Sequence, residues 1–372
     1  MQQQTKERRV LIDGSRLMIE ALAQSGADIF IGYPITPANS LYLYGSQRMP
    51  IMLAAPDEIS TLQWMSGLSA AGHLPVTATS FPGFALMVES INMAYMMELP
   101  MIVVLVQRLG PSTGTATNGA QGDLLLLKGM ISGGHPIPVL ATSSFDDCWN
   151  LPAEAVSMAI NMRTPVIMLT SKEEVMTHKS FDLNRLPAIE KVPRKFFNKD
   201  EAYQPYKPID LVPDFLPLTQ NRHQVRITAS THDQSGILQH STDEALANTR
   251  RLEEKTYHKM KCHLKFEYDR QENAENLVVA YGITAASARD AVAELRHSGK
   301  KVSLLVPKTL VPVPPVYDEI IQSYKKVIIA EENMNNQFGS LLYGIRKPAN
   351  VSYLGSLGKM ITPQQIMEEI KA

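Results

Sequence analysis

From Arg8 to about Thr170, short runs of apolar residues alternate with longer stretches of helical spacing. The runs Ile29–Gly32, Ile51–Ala54, Val76–Thr79, Met101–Val106, Ile137–Ala141 and Val166–Leu169 read as strands, and Gly14–Ser25, Asp57–Gly72, Ala85–Glu98 and Asp146–Asn161 as helices. Strands that are apolar at every position are expected where helices cover both faces of a sheet. The pattern therefore predicts an α/β fold with a doubly wound, mostly parallel sheet. In such sheets ligands sit at the carboxyl ends of the strands. The loops that follow strands are where chemistry is expected.

The alternation stops between Phe181 and Arg226, where prolines recur without a helical or alternating period. This stretch reads as a long connector wrapped on a surface. The charged segment Asp243–Lys261 follows, and reads either as a partner-docking helix or as a solvated helix laced with i,i+4 ion pairs. A second α/β unit begins near Asn276: strands at Leu277–Tyr281, Val302–Val306 and Val327–Glu331, helices at Thr284–His297, Asn335–Ile345 and Thr362–Ile370. Pro314–Tyr317 reads as a loop. No internal repeat or low-complexity tract is present.

Composition narrows the function classes. With 44% hydrophobic and 20% charged residues the chain is of the ordered globular kind. Thirty-six basic against 37 acidic side chains leave a net charge of -1, so no global field favours nucleic acid or an anionic membrane. The two cysteines, Cys148 and Cys262, form no CxxC pair, which excludes a disulfide framework, a zinc ribbon and a self-contained iron–sulfur cluster. The histidines show no HxxxH or HExxH spacing, and no metal site is expected from this chain alone. The start MQQQTKERRVLIDGS has no apolar leader, and the longest apolar stretch, Leu99–Val106, is strand-sized. A cytoplasmic protein is expected.

Four strand-following loops carry candidate chemistry. Gly32–Asn39 holds Thr36 between two prolines, stiff enough to fix a hydroxyl against a substrate, or a plain turn with Thr36 capping the next helix. Asp57 and Glu58 stand where a helix opens; Asp57 as N-cap and an acid in the first turn beside the helix dipole could explain both. Ser80–Phe84 is a tight junction that could offer backbone N–H groups to an anion, or be only a turn. Arg108 ends an apolar strand and leads into Leu109–Gly114, a carboxylate or phosphate clamp unless an internal Asp or Glu pairs with it. Gln121–Gly122–Asp123 is a second polar cluster that could support that loop.

Taken in order, Tyr33–Pro37, Asp57–Ser60, Thr79–Phe84, Glu98–Pro100, Arg108–Gly114 and Gln121–Asp123 resemble the alpha subunit of 2-oxoacid:ferredoxin oxidoreductases, its 2-oxoglutarate branch in particular. The likeness continues through Arg163–Ile167, Lys308–Leu310, Glu331–Asn333 and Thr362–Pro363. It implies a thiamine diphosphate enzyme built from two chains. Residues 1–190 would form the pyrimidine-binding domain, 191–264 an irregular connector and charged helix, and 265–372 a smaller transketolase-C-like α/β domain. By this resemblance Glu58 is the catalytic residue that bonds the aminopyrimidine ring and activates the cofactor. Tyr33, Pro34, Ile35, Ser80, Phe81 and Gly83 would line the cofactor, and Thr36, Arg108, Ser112 and Thr113 would hold the substrate.

The same resemblance implies oxidative decarboxylation of a 2-oxoacid, with coenzyme A taking the acyl group and ferredoxin the electrons. The chain has no GDG…N segment and no cluster cysteines. Diphosphate, Mg2+ and iron–sulfur clusters would belong to a beta subunit, with further gamma and delta subunits in some assemblies. Phe81 stands where the family usually has glycine, Thr115-Ala116-Thr117 replaces a common Leu-Pro-Thr, Asn39 replaces a serine and Lys172 an acidic residue, so the substrate need not be 2-oxoglutarate itself. Two rivals remain at this point: a subunit of a non-oxidative thiamine-dependent decarboxylase or acyl synthase, and a non-catalytic structural partner.

Overall fold

A computed structural model describes residues 8–372; the first seven residues, part of the polar start considered above, lie outside the described residues. Seven strands form the main sheet, in the order Thr309–Val311, Val139–Ala141, Pro165–Ser171, Met101–Gln107, Pro75–Thr79, Ile29–Gly32, Ile51–Ala54. All neighbours run parallel except Thr309–Val311, which is antiparallel to Val139–Ala141. The central strand shows why its residues are apolar throughout. Met101, Val103 and Leu105 pack into one core, while Ile102, Val104 and Val106 pack into another on the opposite face. Helices Glu58–Ala70 and Phe81–Met96 cover the first face through Leu62, Met65, Phe84 and Met87. Helices Gly14–Ser25 and Asp147–Met162 cover the second. The predicted doubly wound sheet is present.

A second sheet has the order Phe266–Asp269, Val302–Pro307, Asn276–Ala280, Lys326–Glu331, Val351–Gly355, parallel but for its first strand. One face is covered by helices Thr284–His297 and Pro363–Lys371. Its other face, with Leu277, Val279 and Ile329, joins the core that holds Phe84 and Leu105 of the main sheet. The two units therefore share apolar burial, and Thr309–Val311 is a main-sheet strand contributed by the second.

Three local expectations change. The helix expected from Ala85 begins at Phe81, with Pro82 in its first turn, where a missing N–H is cost-free and φ is already helical. For the same reason Pro314–Tyr317 is not a loop: Pro314 is the N-cap and Pro315 the first residue of helix Pro315–Gln322. An antiparallel pair, Arg9–Asp13 with His178–Asp182, adds a small ribbon that the largely exposed His178–Asp182 does not announce by apolar content.

The connector does wrap the surface. Arg194 donates to the carbonyls of Gly72 (2.6 Å) and Gly26 (2.7 Å) and pairs with Asp28 at 3.0 Å. The charged helix, Asp243–Lys259, is docked rather than merely solvated. Its inner face buries Arg251 and Lys255 against the fully buried Glu98, with Lys255 Nζ 2.5 Å from Oε2 and Arg251 bonding both carboxylate oxygens. Lys255 also donates to the Arg163 carbonyl at 3.1 Å, and Arg251 to that of Leu211 at 2.7 Å. Burial would raise the Glu98 carboxyl, but the Lys255 and Arg251 charges outweigh it and hold the group down to about 2.

Glu98→Ala leaves two cations buried without their counter-ion, and should cost about 3–5 kcal/mol in urea unfolding. Glu254→Ala, on the exposed face of the same helix, should stay within about 0.5 kcal/mol. Equal effects would refute the docking role.

Candidate active site

Four neighbouring strands deliver the candidate residues from their carboxyl ends. Met101–Gln107 leads into Arg108, Pro75–Thr79 into Ser80, Ile29–Gly32 into Tyr33–Thr36, and Ile51–Ala54 through a short turn into Glu58. This is the edge at which a parallel sheet binds ligands.

Asp57 and Glu58 divide the work that either could do. Asp57 is the N-cap of helix Glu58–Ala70, its side chain accepting the Ser60 N–H at 2.7 Å. Glu58 is thereby released from capping. It is 6% exposed, and its carboxylate makes no hydrogen bond or ion pair among the described residues. It packs directly against a glycine. A Cβ on Gly83 would stand 2.4 Å from Glu58 Oε1, 2.7 Å from its Cγ and 2.3 Å from Thr79 Oγ1. Next to Gly83, Ser80 occupies the N-cap of helix Phe81–Met96, yet its buried Oγ bonds to nothing. A buried carboxylate and a buried hydroxyl without partners are costly unless something outside the chain supplies them. At Glu58 the missing partner would be a group that presents an N–H donor, as an aminopyrimidine does.

The second cluster is built around Arg108. Its guanidinium is buried, and Nη1 donates to the Thr36 carbonyl at 2.6 Å. It forms no ion pair among the described residues, and Nε has no partner. Burial lowers its pKa, against the opposing charge of Asp123. The Thr36 hydroxyl accepts from Asn39 Nδ2 at 3.1 Å and caps no helix; the N-cap of Asn39–Arg48 is Ala38. Thr36 and Arg108 are thus brought together. Tyr33 and Pro34 are exposed and Ile35 half-buried on the neighbouring loop. Ser112 and Thr113 are exposed on a loop that folds back on itself, where Gly114 has φ 46° and a Cβ would lie 1.7 Å from the Leu109 carbonyl oxygen. Neither side chain reaches Arg108 or Thr36 by a hydrogen bond.

Beside Arg108 lies a cavity of about 390 Å³, walled by Phe81, Asp123, Glu332, Met334 and Leu357. Asp123 and Glu332 are buried, and burial pushes each up to about 7, opposed at Asp123 by Gln107 and Arg108. The second unit reaches this cavity because Gln121 bolts the two together. Its Oε1 accepts from Thr284 Oγ1 and the Glu332 N–H, both at 2.7 Å, and Nε2 donates to the Tyr281 carbonyl at 2.8 Å. Sequence reasoning marked Gln121–Asp123 as a supporting cluster without its partner, and gave Glu332 no site role. The signal available was an acidic pair, Glu331-Glu332, at the carboxyl end of an apolar strand. Among the described residues no group of three or more His, Cys, Asp or Glu side chains could hold a metal ion, and no helix is long and apolar enough to cross a membrane.

Comparison with known proteins follows this geometry. Residues 20–254 match a family model described as "Pyruvate flavodoxin/ferredoxin oxidoreductase, thiamine diP-bdg", and 274–366 one described as "Pyruvate:ferredoxin oxidoreductase core domain II". The chain is 29% identical to a 2-oxoglutarate synthase subunit KorA from Methanocaldococcus jannaschii, over 93% of this chain and 94% of that one. It is 31% identical to a ketoisovalerate oxidoreductase subunit VorB from Methanothermobacter thermautotrophicus, over 82% and 80% respectively. A solved 2-oxoglutarate:ferredoxin oxidoreductase from Magnetococcus marinus, with 2-oxoglutarate, coenzyme A and succinyl-CoA bound, superposes with a TM-score of 0.92 at 27% identity. That match covers 98% of this chain and 65% of the solved chain.

Gly83→Ala should displace Glu58 and destabilise the chain by about 1–3 kcal/mol in urea unfolding, as overpacking does. Gly67→Ala, where a Cβ meets nothing within 4 Å, should stabilise its helix by up to about 1 kcal/mol. A neutral Gly83→Ala would mean that the cradle is not tight.

Proposed function

Because the chain belongs to the pyruvate flavodoxin/ferredoxin oxidoreductase family, as an alpha subunit of the Kor type, we propose that it supplies the pyrimidine-binding half of a thiamine diphosphate site. The reaction is the coenzyme A-dependent oxidative decarboxylation of a 2-oxoacid, 2-oxoglutarate or a related acid, with ferredoxin as electron acceptor. The observation that carries this reading is the buried Glu58 carboxylate, unpartnered within its own chain and faced by the Gly83 cradle.

Thiamine diphosphate, when bound, supplies the nucleophilic carbon and the electron sink for decarboxylation. This chain's residues do the rest of what falls to it. The Glu58 carboxyl would hold the proton shared with the pyrimidine ring nitrogen, and the low-dielectric pocket would strengthen that hydrogen bond. Ser80 and Phe81, with the Tyr33–Ile35 loop, wall the ring. Arg108 presents its Nη2 N–H groups to the substrate carboxylate, and Thr36, fastened to it through the carbonyl contact, orients the keto end. Ser112 and Thr113 stand at the rim.

The diphosphate, its Mg2+ and the iron–sulfur clusters are assigned to a beta subunit, so that the active site lies between chains; gamma and delta subunits complete some assemblies. The two cysteines of this chain, one buried and one exposed, offer no cluster set.

Two outcomes test this. Alone, with thiamine diphosphate, Mg2+, a 2-oxoacid and coenzyme A, the chain should show no turnover, and measurable turnover would overturn the divided site. In the assembled complex Glu58→Gln should lower kcat at least 100-fold while the urea midpoint stays at or above that of the native chain, since the change removes an unpaired buried charge; retained turnover would remove Glu58 from its role.

A further inference from the structure

The cavity beside Arg108 has a charge pattern that discriminates among 2-oxoacids. Of the described residues lining it, Arg108 alone is cationic, and it is already assigned to the C1 carboxylate. The other two ionisable groups, Asp123 and Glu332, are both acidic and both buried. Phe81, Leu109, Pro111, Met334 and Leu357 give the wall its apolar part; of the amides beside them, Asn333 and Gln337 already donate within the chain, to Gln121, Glu331 and Gly122. Resting on the thiamine-enzyme reading above, we propose that this cavity receives the substrate's side chain, and that the preferred substrate is a 2-oxoacid with a bulky apolar side chain, branched-aliphatic or aryl.

Three physical arguments converge. A second carboxylate placed here would meet two acids and no second cation. Removing it from water without a counter-charge is costly. Burial already pushes Asp123 and Glu332 up to about 7, and a second substrate carboxylate beside them would raise both further, so its binding would draw in protons. Against this, Phe81 and its apolar neighbours reward a hydrocarbon group by desolvation, at about 0.8 kcal/mol per buried methylene. Volume sets the lower bound on size. A cavity of about 390 Å³ leaves a methyl side chain with most of its wall untouched, so small acids forfeit that gain. The position of Phe81, at the first turn of helix Phe81–Met96 and only two residues from Gly83, places the side-chain pocket directly beside the cofactor's cradle.

The test is a substrate panel on the complex of this chain with its beta subunit: 2-oxoisovalerate, phenylpyruvate, pyruvate and 2-oxoglutarate, compared by kcat/KM. The expected result is that at least one of the first two exceeds both of the others by 10-fold or more, the scale set by hydrophobic pocket discrimination. Phe81→Gly should shrink the ratio of that acid to pyruvate about 10-fold. Met334→Lys, which adds a cation at an exposed point of the wall, should raise kcat/KM for 2-oxoglutarate about 10-fold relative to the apolar acid. Preference for 2-oxoglutarate or pyruvate overturns the proposal and leaves the enzyme reading intact. A Phe81→Gly complex that keeps the native ratio also overturns it. Absence of turnover with all four acids overturns the enzyme reading and this inference with it.

Discussion

The contact between Glu58 and Gly83 constrains the whole first unit. A carboxylate 6% exposed and without a partner in its own chain is a net cost to folding. It can be kept only where its surroundings are rigid enough to prevent it from rotating to water. Two helix starts and a strand end supply that rigidity. Asp57 fixes the entry of Glu58–Ala70, Thr79 closes the floor, and Pro82 fixes the first turn of Phe81–Met96. Strain or unsatisfied polarity at a functional site must be offset elsewhere. Here the offset includes the deep apolar strands and the closed ionic cluster of Glu98, Arg251 and Lys255 on the far end of the same helix.

A second constraint is the joint between the two units. Gln121 spends its side-chain amide on Tyr281, Thr284 and the Glu332 backbone, and its own backbone on Glu332 and Asn333. Gln337 then reaches back to the Gly122 carbonyl at 2.8 Å. Because Asp123 follows directly and Arg108 is near it, the angle between the units sets the shape of the substrate-side wall. The second unit is thus not a passive appendage: its residues 332–337 complete one side of a cavity whose other side is the main sheet.

Much of this was legible in the residue pattern. Uninterrupted apolar runs marked strands whose bounds agree with Ile29–Gly32, buried on both faces, and with Ile51–Ala54, apolar although it is a partly exposed edge strand. Thr36, Glu58, Ser80 and Arg108 were singled out because each lies in a loop or junction at the carboxyl end of a strand. What was hidden depends on distant partners. Arg251 and Lys255 read as solvent charges because their counter-ion, Glu98, lies over 150 positions away. Asp57 was legible as the N-cap, but only the structure shows that Glu58 in the first turn is buried without a partner. Proline misled twice, at Pro82 and Pro315, because a residue that ends helices also begins them. Ser112 and Thr113 entered through the family resemblance; in this chain both are exposed and bond neither Arg108 nor Thr36.

The short strand Thr309–Val311 has a consequence for how such a chain can be divided. It seals one border of the main sheet by pairing with Val139–Ala141, where unpaired N–H and C=O groups would otherwise recruit strands from other molecules. Severing the polypeptide at the connector would therefore produce a sticky fragment, not a free-standing cofactor module. A gene fission that preserved solubility would have to fall beyond Val311, or bring its own replacement for that seal.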